Sequence, residues 1–400
     1  MFELEELTEM RARIKVIGVG GGGGNAINSM ISSGITGVDF VAINTDTQAL
    51  SLSLAPLKMQ IGARVTKGLG AGSNPELGRA AAMEDSSRIE EILKGSDMVF
   101  ITAGMGGGTG TGGAPVIAAI ARELGILTVA VVTKPFYYEG KKRIENALKG
   151  IEELKKNVDS IILIPNDRIK MVAERGMSLT KAFELVNDVL RQAVQGITDL
   201  ILKPGLINLD FADVKTILSG SGRAVMGIGV ASGKNSGIEA ARRAVTNPLL
   251  EDADIKGARR VLLNITGGPD LDIDTVNEVC SFIYDAVHDD VHLIFGAVID
   301  ENLNNTVKVT IVATDYSGEG DKQFDKVKEI SMIKNEESGL KRSVKEESRI
   351  LGAKRVLSKS LDNFDLPQEL FRYDDPIDLP TFIRNVEDIE DSDSGDKKSG

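Results

Sequence analysis

The sequence predicts an α/β protein: a first domain on a parallel sheet, a long central helix, a second, smaller α/β domain, and a disordered carboxyl-terminal linker and tail. Three observations carry this. Up to about Pro165, short β-rich runs alternate with helical stretches, the pattern of parallel strands joined by crossover helices. Two glycine-rich loops each follow directly on an apolar strand, which gives the first domain a Rossmann-like layout. From Ser178 to Leu202, apolar residues recur around most of a helical circumference, as in a helix buried between two bodies.

The predicted strands of the first domain are Ile14–Val19, Val38–Asn44, Lys58–Ile61, Met98–Ala103, Thr128–Thr133 and Ser160–Ile164. The first runs into Gly20–Gly24 and Asn25, with a helix expected from near Ala26. Gly18, Gly20 and Gly23 satisfy the G-x-G-x-x-G spacing of a dinucleotide fold, and Asp39 is a candidate ribose acid. Alone, that match is weak.

A second loop, Gly104-Met105-Gly106-Gly107-Gly108-Thr109-Gly110-Thr111-Gly112, follows the fourth strand. So many glycines cost backbone entropy, and they persist where the chain takes positive φ or brings its N–H groups close to a ligand. Thr109 and Thr111 would add hydroxyls at phosphate height. The helix after it, Ala114–Ala121 with Pro115 in its first turn, would offer an anion-binding N-terminus. Two such loops suggest one phosphate chain gripped from two sides. Neither ends in the Lys-Ser/Thr of a Walker motif. Asn44-Thr45-Asp46, Gly70-Ala71-Gly72 and Thr133-Lys134-Pro135 also follow strands or strand-like segments and could line the same pocket.

Beyond the central helix, Ala224–Val230, Arg260–Ile265, Leu293–Val298 and Thr306–Ala313 read as strands, with helices at Gly237–Val245 and Asp274–His288. The predicted divisions are an N-terminal extension (1–12), nucleotide domain (13–177), central helix (178–203), second α/β domain (204–317), disordered linker (318–373), and docking peptide with acidic tail (374–400). In the tail, Asp374–Arg384 places large apolar residues in acidic surroundings, as a segment that folds on a partner would.

Composition narrows the function. The chain has 400 residues, 42% of them hydrophobic, and a formal net charge of −12. Residues 361–400 hold 12 acidic and 4 basic residues. Without a basic excess, nucleic acid and anionic lipid surfaces are poor partners. No run approaches the roughly 18 to 20 apolar residues of a membrane span, and the acidic start is unlike a secretory signal, so a cytoplasmic protein without membrane insertion is expected. The single cysteine, Cys280, lies in an apolar periodic stretch and reads as a structural thiol. His288 and His292 form no metal cluster with it, and no metal-ligating residues are predicted.

Taken together, Val16–Asn25, Asn44–Asp46, Thr66–Gly72, Gly106–Gly112, Lys134–Phe136 and Asn208–Val214 resemble the tubulin/FtsZ GTPase superfamily, and within it the bacterial cell-division branch. The match runs from about Ile14 to Ala313 and resumes in the tail peptide. This resemblance implies GTP and GDP as ligands with Mg²⁺ bridging phosphate oxygens. Gly21, Gly22, Ala71 and Gly72 would meet the phosphates, and Gly107, Gly108, Thr109 and Gly110 would cradle them. Glu139 and Arg143 would reach the ribose and nearby phosphate side. Asn166 and Asn187 would read guanine edges, with Phe183 beside the base one helical turn before Asn187. Asn25, Asn44, Gly104, Thr133 and Pro135 complete the implied nucleotide-binding set.

Asp210 and Asp213, read locally, suit an N-cap and an acid in the first turn of a helix. The resemblance instead implies that Asn208, Asp210 and Asp213 enter the nucleotide pocket of the next subunit and are catalytic there. It further implies head-to-tail filaments in a cytokinetic ring at midcell. Asp374–Arg384 would bind membrane-tethering adaptors such as FtsA, SepF or ZipA-like proteins, and assembly regulators. Two other classes compete with this reading. A nicotinamide oxidoreductase would need catalytic His or Tyr-Lys chemistry, which the sequence does not offer, and a non-hydrolysing GTP-binding regulator would have no use for Asp210 and Asp213.

Overall fold

Among the described residues, ten strands form one sheet in the order β3 (Leu57–Gln60), β2 (Val38–Asn44), β1 (Ile14–Val19), β4 (Met98–Gly104), β5 (Leu127–Lys134), β6 (Ser160–Pro165), β7 (Gly222–Ser232), β10 (Thr306–Tyr316), β8 (Ala258–Gly267) and β9 (His292–Ile299). The computed structural model describes residues 12–172, 176–203, 205–207, 209–247, 255–287 and 290–316. Most of the predicted amino-terminal extension, Asn208, His288, the linker and the Asp374–Arg384 peptide lie outside the described residues.

The first domain runs β1 (Ile14–Val19), α1 (Gly20–Ser32), β2 (Val38–Asn44), α2 (Thr47–Ser51), β3 (Leu57–Gln60), α3 (Ala63–Thr66), α4 (Pro75–Glu84), α5 (Ser86–Leu93), β4 (Met98–Gly104), α6 (Thr109–Glu123), β5 (Leu127–Lys134), α7 (Lys141–Lys155), β6 (Ser160–Pro165) and α8 (Asn166–Val172). Strands β1 to β6 are mutually parallel. Helices cover both faces, so alternate residues of one strand enter different cores: Val16 packs in the layer holding α1 and the central helix, Ile17 and Val19 in the layer under α4 to α7. Strands buried on both sides carry near-continuous Val and Ile, as the sequence shows.

Two helices start earlier than predicted. The glycine run expected as a loop before Ala26 is the first turn of α1. A Cβ at Gly23 would collide with the Thr102 carbonyl and come within 2.8 Å of the Gly18 carbonyl carbon, so glycine is what lets this turn lie against β1 and β4. Helix α6 begins at Thr109, which puts Pro115 inside the helix and not in its first turn. The close contact with α4, where Gly112 faces Pro75, outweighs the weak helical propensity of the glycines.

The central helix, α9 (Leu179–Leu202), is capped by Ser178, whose hydroxyl accepts from the Lys181 N–H. Its buried residues include Val189, Leu190, Val194 and Ile197, which join a core shared with Met226, Leu262 and Val312 of the second domain. The first turns depart from the predicted burial around most of the circumference, since Phe183 is exposed, as is Leu179.

After α10 (Phe211–Leu218), β7 (Gly222–Ser232) pairs with β6 in parallel through Gly222–Ala224 only, and from Val225 it pairs antiparallel with β10 (Thr306–Tyr316). One strand thus carries the sheet into the second domain. There α11 (Ser236–Val245) packs on β7 and β10, and with α12 (Ile273–Ala286) it shares a core with β8 (Ala258–Gly267) and β9 (His292–Ile299). Cys280 is partly buried on α12, and burial pushes its thiol above the ordinary range, which suits a structural role.

Candidate nucleotide site

The carboxyl ends of β1, β2, β4, β5 and β6 bring the candidate residues together at one edge of the sheet. Both glycine loops end in helix N-termini there. Val19 before α1 and Gly108 before α6 make no side-chain capping bond, whereas Asp46, Asn74 and Ser178 cap α2, α4 and α9. The first N–H groups of α1 and α6 therefore remain for an anion.

Three segments enclose this edge. A Cβ at Gly108 would stand 2.7 Å from the Ala71 Cβ and 3.0 Å from the Asn74 nitrogen, so the 66–74 segment lies directly on the second glycine loop. Gly21 and Gly22 are exposed, and beside Gly21, Gly72 and Gly107 the space that a side chain would take is open. Gly104 ends β4, and the Thr133 carbonyl accepts from the Met105 N–H at 3.0 Å. Of the two threonines expected at phosphate height, Thr109 opens α6 and is buried, at 8% exposure. The Thr111 hydroxyl accepts from the Gly106 N–H at 2.8 Å and holds the loop's own bend.

A second part of the site faces α9. Asn25, Asn28, Ser29 and Ser32 of α1 and Glu184 and Asn187 of α9 line a cleft of about 280 Å³. Asn166 opens α8, is only 5% exposed, and its Oδ1 has no hydrogen-bond partner among the described residues. A buried amide oxygen left without a donor is costly, and an incoming N–H edge would satisfy it. Phe136 follows Pro135 and is buried; it stacks on Tyr138 (centroids 5.0 Å) and meets Phe183 edge-on (5.5 Å).

Some candidates are occupied otherwise. Glu139 accepts from the Phe136 N–H (2.8 Å) and pairs with Arg143 (3.0 Å), so these two residues brace each other beside the second glycine loop. Asn44 turns its amide oxygen onto the N–H groups of Thr45 (2.9 Å) and Asp46 (3.3 Å). Asp39, the candidate ribose acid, sits at the amino end of β2 and pairs with Lys15 (3.3 Å); it is at the wrong end of the sheet for that role. The sequence offers Thr45 and Thr66 only as members of the Asn44–Asp46 and Thr66–Gly72 motifs, and gives no sign of Asp167. Asp167 accepts from the Tyr137 N–H at 3.1 Å and shapes the turn after β5.

Asp210 and Asp213 are not near these loops. Helix α9 starts at the cleft and spans 24 residues, about 36 Å at 1.5 Å per residue. It ends with Leu202 beside Gly37, just before the amino end of β2. The Asp159 carboxylate at the amino end of β6 accepts from Gly220, immediately after α10. Asp210 stands at the N-cap of α10 but makes no side-chain capping bond, and it is exposed. The local reading of Asp210 as a cap is thus not realised.

Comparison with known proteins agrees with this arrangement. The GTPase domain of the Tubulin/FtsZ family matches residues 13–174, and the FtsZ family C-terminal domain matches residues 222–317. An empty FtsZ dimer from M. jannaschii is 46% identical, with a TM-score of 0.74 over 78% of this chain and 90% of that one. CetZ2 from Haloferax volcanii, solved as a GTPγS-bound protofilament, shares the fold at 24% identity and a TM-score of 0.67, over 80% of this chain and 99% of that one. With both family domains matched in order on a shared fold, the chain belongs to the FtsZ family of tubulin-like GTPases.

Proposed function

We propose that this GTPase polymerises head to tail and that its hydrolysis site is completed only between subunits. The observation that carries this is the separation of phosphate loops and acids: Asp210 and Asp213 lie at the opposite end of α9 from the loops, so neither can serve its own phosphates. In a head-to-tail pair, that end of one subunit meets the nucleotide edge of the next. Contact between two different surfaces does not close on itself and generates filaments. Exposed apolar residues suit both faces, with Leu69 at 84% and Tyr137 at 79% on the nucleotide edge and Leu206 at 69% on the acid loop. The dimeric M. jannaschii FtsZ and the CetZ2 protofilament are precedents among proteins of this fold.

In this scheme the backbone N–H groups of Gly21, Gly22, Gly107, Gly108 and Gly110 hold the phosphates, and Asn166 and Asn187 read the guanine. Asp210 and Asp213 of the next subunit, with Asn208, orient the attacking water. Phosphoryl transfer depends chiefly on such positioning and on stabilising charge. Mg²⁺, held mainly by the nucleotide and water, would neutralise phosphate charge.

The filaments would serve in bacterial cell division. Asp213→Ala should keep nucleotide affinity and lose most turnover, about a hundredfold or more as expected for a lost positioning group. Introduced into cells beside the native chain, it should enter filaments, stall their turnover and block division. Unchanged turnover in the purified variant would refute the split site; normal division despite incorporation would refute the cellular role.

A further inference from the structure

Thr45 joins two of the segments around the phosphate edge, the 66–74 segment and the start of α6 after the second glycine loop. It follows β2 and is completely buried, at 0% exposure. Its carbonyl accepts from the Gly70 N–H (3.3 Å) and lies 3.4 Å from the Thr66 hydroxyl. Its own hydroxyl lies 2.6 Å from the Thr109 hydroxyl, across 64 residues of sequence. Among the described residues, no other side-chain or backbone partner takes the Thr45 hydroxyl.

We propose that Thr45 is a positioning residue that aims the Thr109 proton at the bound phosphate. This rests on Thr109 being a phosphate contact. Each hydroxyl has one proton to donate, so the two threonines can be ordered in only two ways. If Thr109 donated to Thr45, its remaining lone pairs would face the anion, and the Thr45 proton would be left without an acceptor in a dry site. If Thr45 donates to Thr109, every proton is used: the Thr45 proton goes to the Thr109 oxygen and the Thr109 proton goes to phosphate, which can only accept. Thr109 alone has this second acceptor, because it stands at the first position of α6 directly after the second glycine loop and keeps 8% exposure, while Thr45 is completely enclosed. The bound anion therefore selects one order, and Thr45 makes that order complete.

The test is a double-mutant cycle on the full chain, read as GDP affinity at protein concentrations below assembly. Thr45→Val keeps the shape, the β-branch and the carbonyl while removing the hydroxyl. It should weaken GDP binding about five- to tenfold, a fraction of the effect of losing a hydrogen bond to a charged group. Thr45→Ser, which keeps the hydroxyl, should restore affinity. Thr109→Val should weaken binding at least as much, and Thr45→Val should cost nothing further in the Thr109→Val background. Thr45→Ala repeats the hydroxyl loss if the valine variant does not fold. Weakened binding by Thr109→Val with native affinity in Thr45→Val would overturn the proposal and leave the site intact. Additive losses would overturn it too, since Thr45 would then act through the fold. No effect of Thr109→Val would remove the phosphate contact itself, and the proposal with it.

Discussion

Phe183 projects from the first turns of α9 beside the cleft, partly exposed and edge-on to Phe136. Its ring is thus set by a buried neighbour while one side stays available to a base. Phe183→Ala should weaken guanine nucleotide binding about tenfold, since stacking on an aromatic ring contributes about 1–3 kcal/mol per base, while the melting temperature changes little. A large loss of stability with unchanged affinity, measured by thermal melts beside nucleotide titration, would make Phe183 a packing residue instead. The resemblance pointed to Asn187, and i,i+4 spacing on α9 then pointed to Phe183. Spacing misplaced Asp39, because a count of residues from a glycine loop does not say which end of the strand the acid occupies. Thr45 was legible only as part of the Asn44–Asp46 loop, since a hydroxyl partner 64 residues away leaves no periodic trace.

At the scale of elements, all ten strands were legible from alternation and β-branched runs, and α9 from its continuous apolar pattern. The starts of α1 and α6 were not. Glycine reads locally as loop, and only the contact of one backbone with another makes a glycine helix favourable. The seam between α9 and the second domain was also invisible, because its charges lie far apart in sequence. Asp199 of α9 is largely buried and pairs with Lys203 at 3.1 Å; burial raises its carboxyl above the ordinary 3.8, with Lys203 and Lys308 opposing. Lys308 of β10 is held below its ordinary value by burial, with Asp199 raising it, Arg191 and Lys203 lowering it further, and Asp188 raising it.

The sign for Asp199 follows from proton binding. With its folded value raised, the native state holds the proton more tightly than the unfolded chain in the window opening at 3.8. This contribution to stability is therefore present below that window and lost as pH rises through the folded value. Asp199→Asn removes the slope. Urea melts across the acid range should show the native chain losing stability relative to Asp199→Asn as pH rises, and parallel pH profiles would contradict the buried assignment.

For the whole molecule, the central claim is that one nucleotide site needs two subunits. The fold gives the chain two ends joined by α9, with the candidate phosphate loops at one and Asp210 and Asp213 at the other. Sequence alone placed the acids late in the chain, but their distance from the loops needed the sheet order and the direction of α9. The most direct measurement is GTP hydrolysis per molecule against protein concentration, with Mg²⁺ present and light scattering followed in the same sample. Specific activity should stay low at first and rise with scattering above a critical concentration. Constant specific activity without scattering would mean that each chain hydrolyses GTP by itself, and would contradict the shared site.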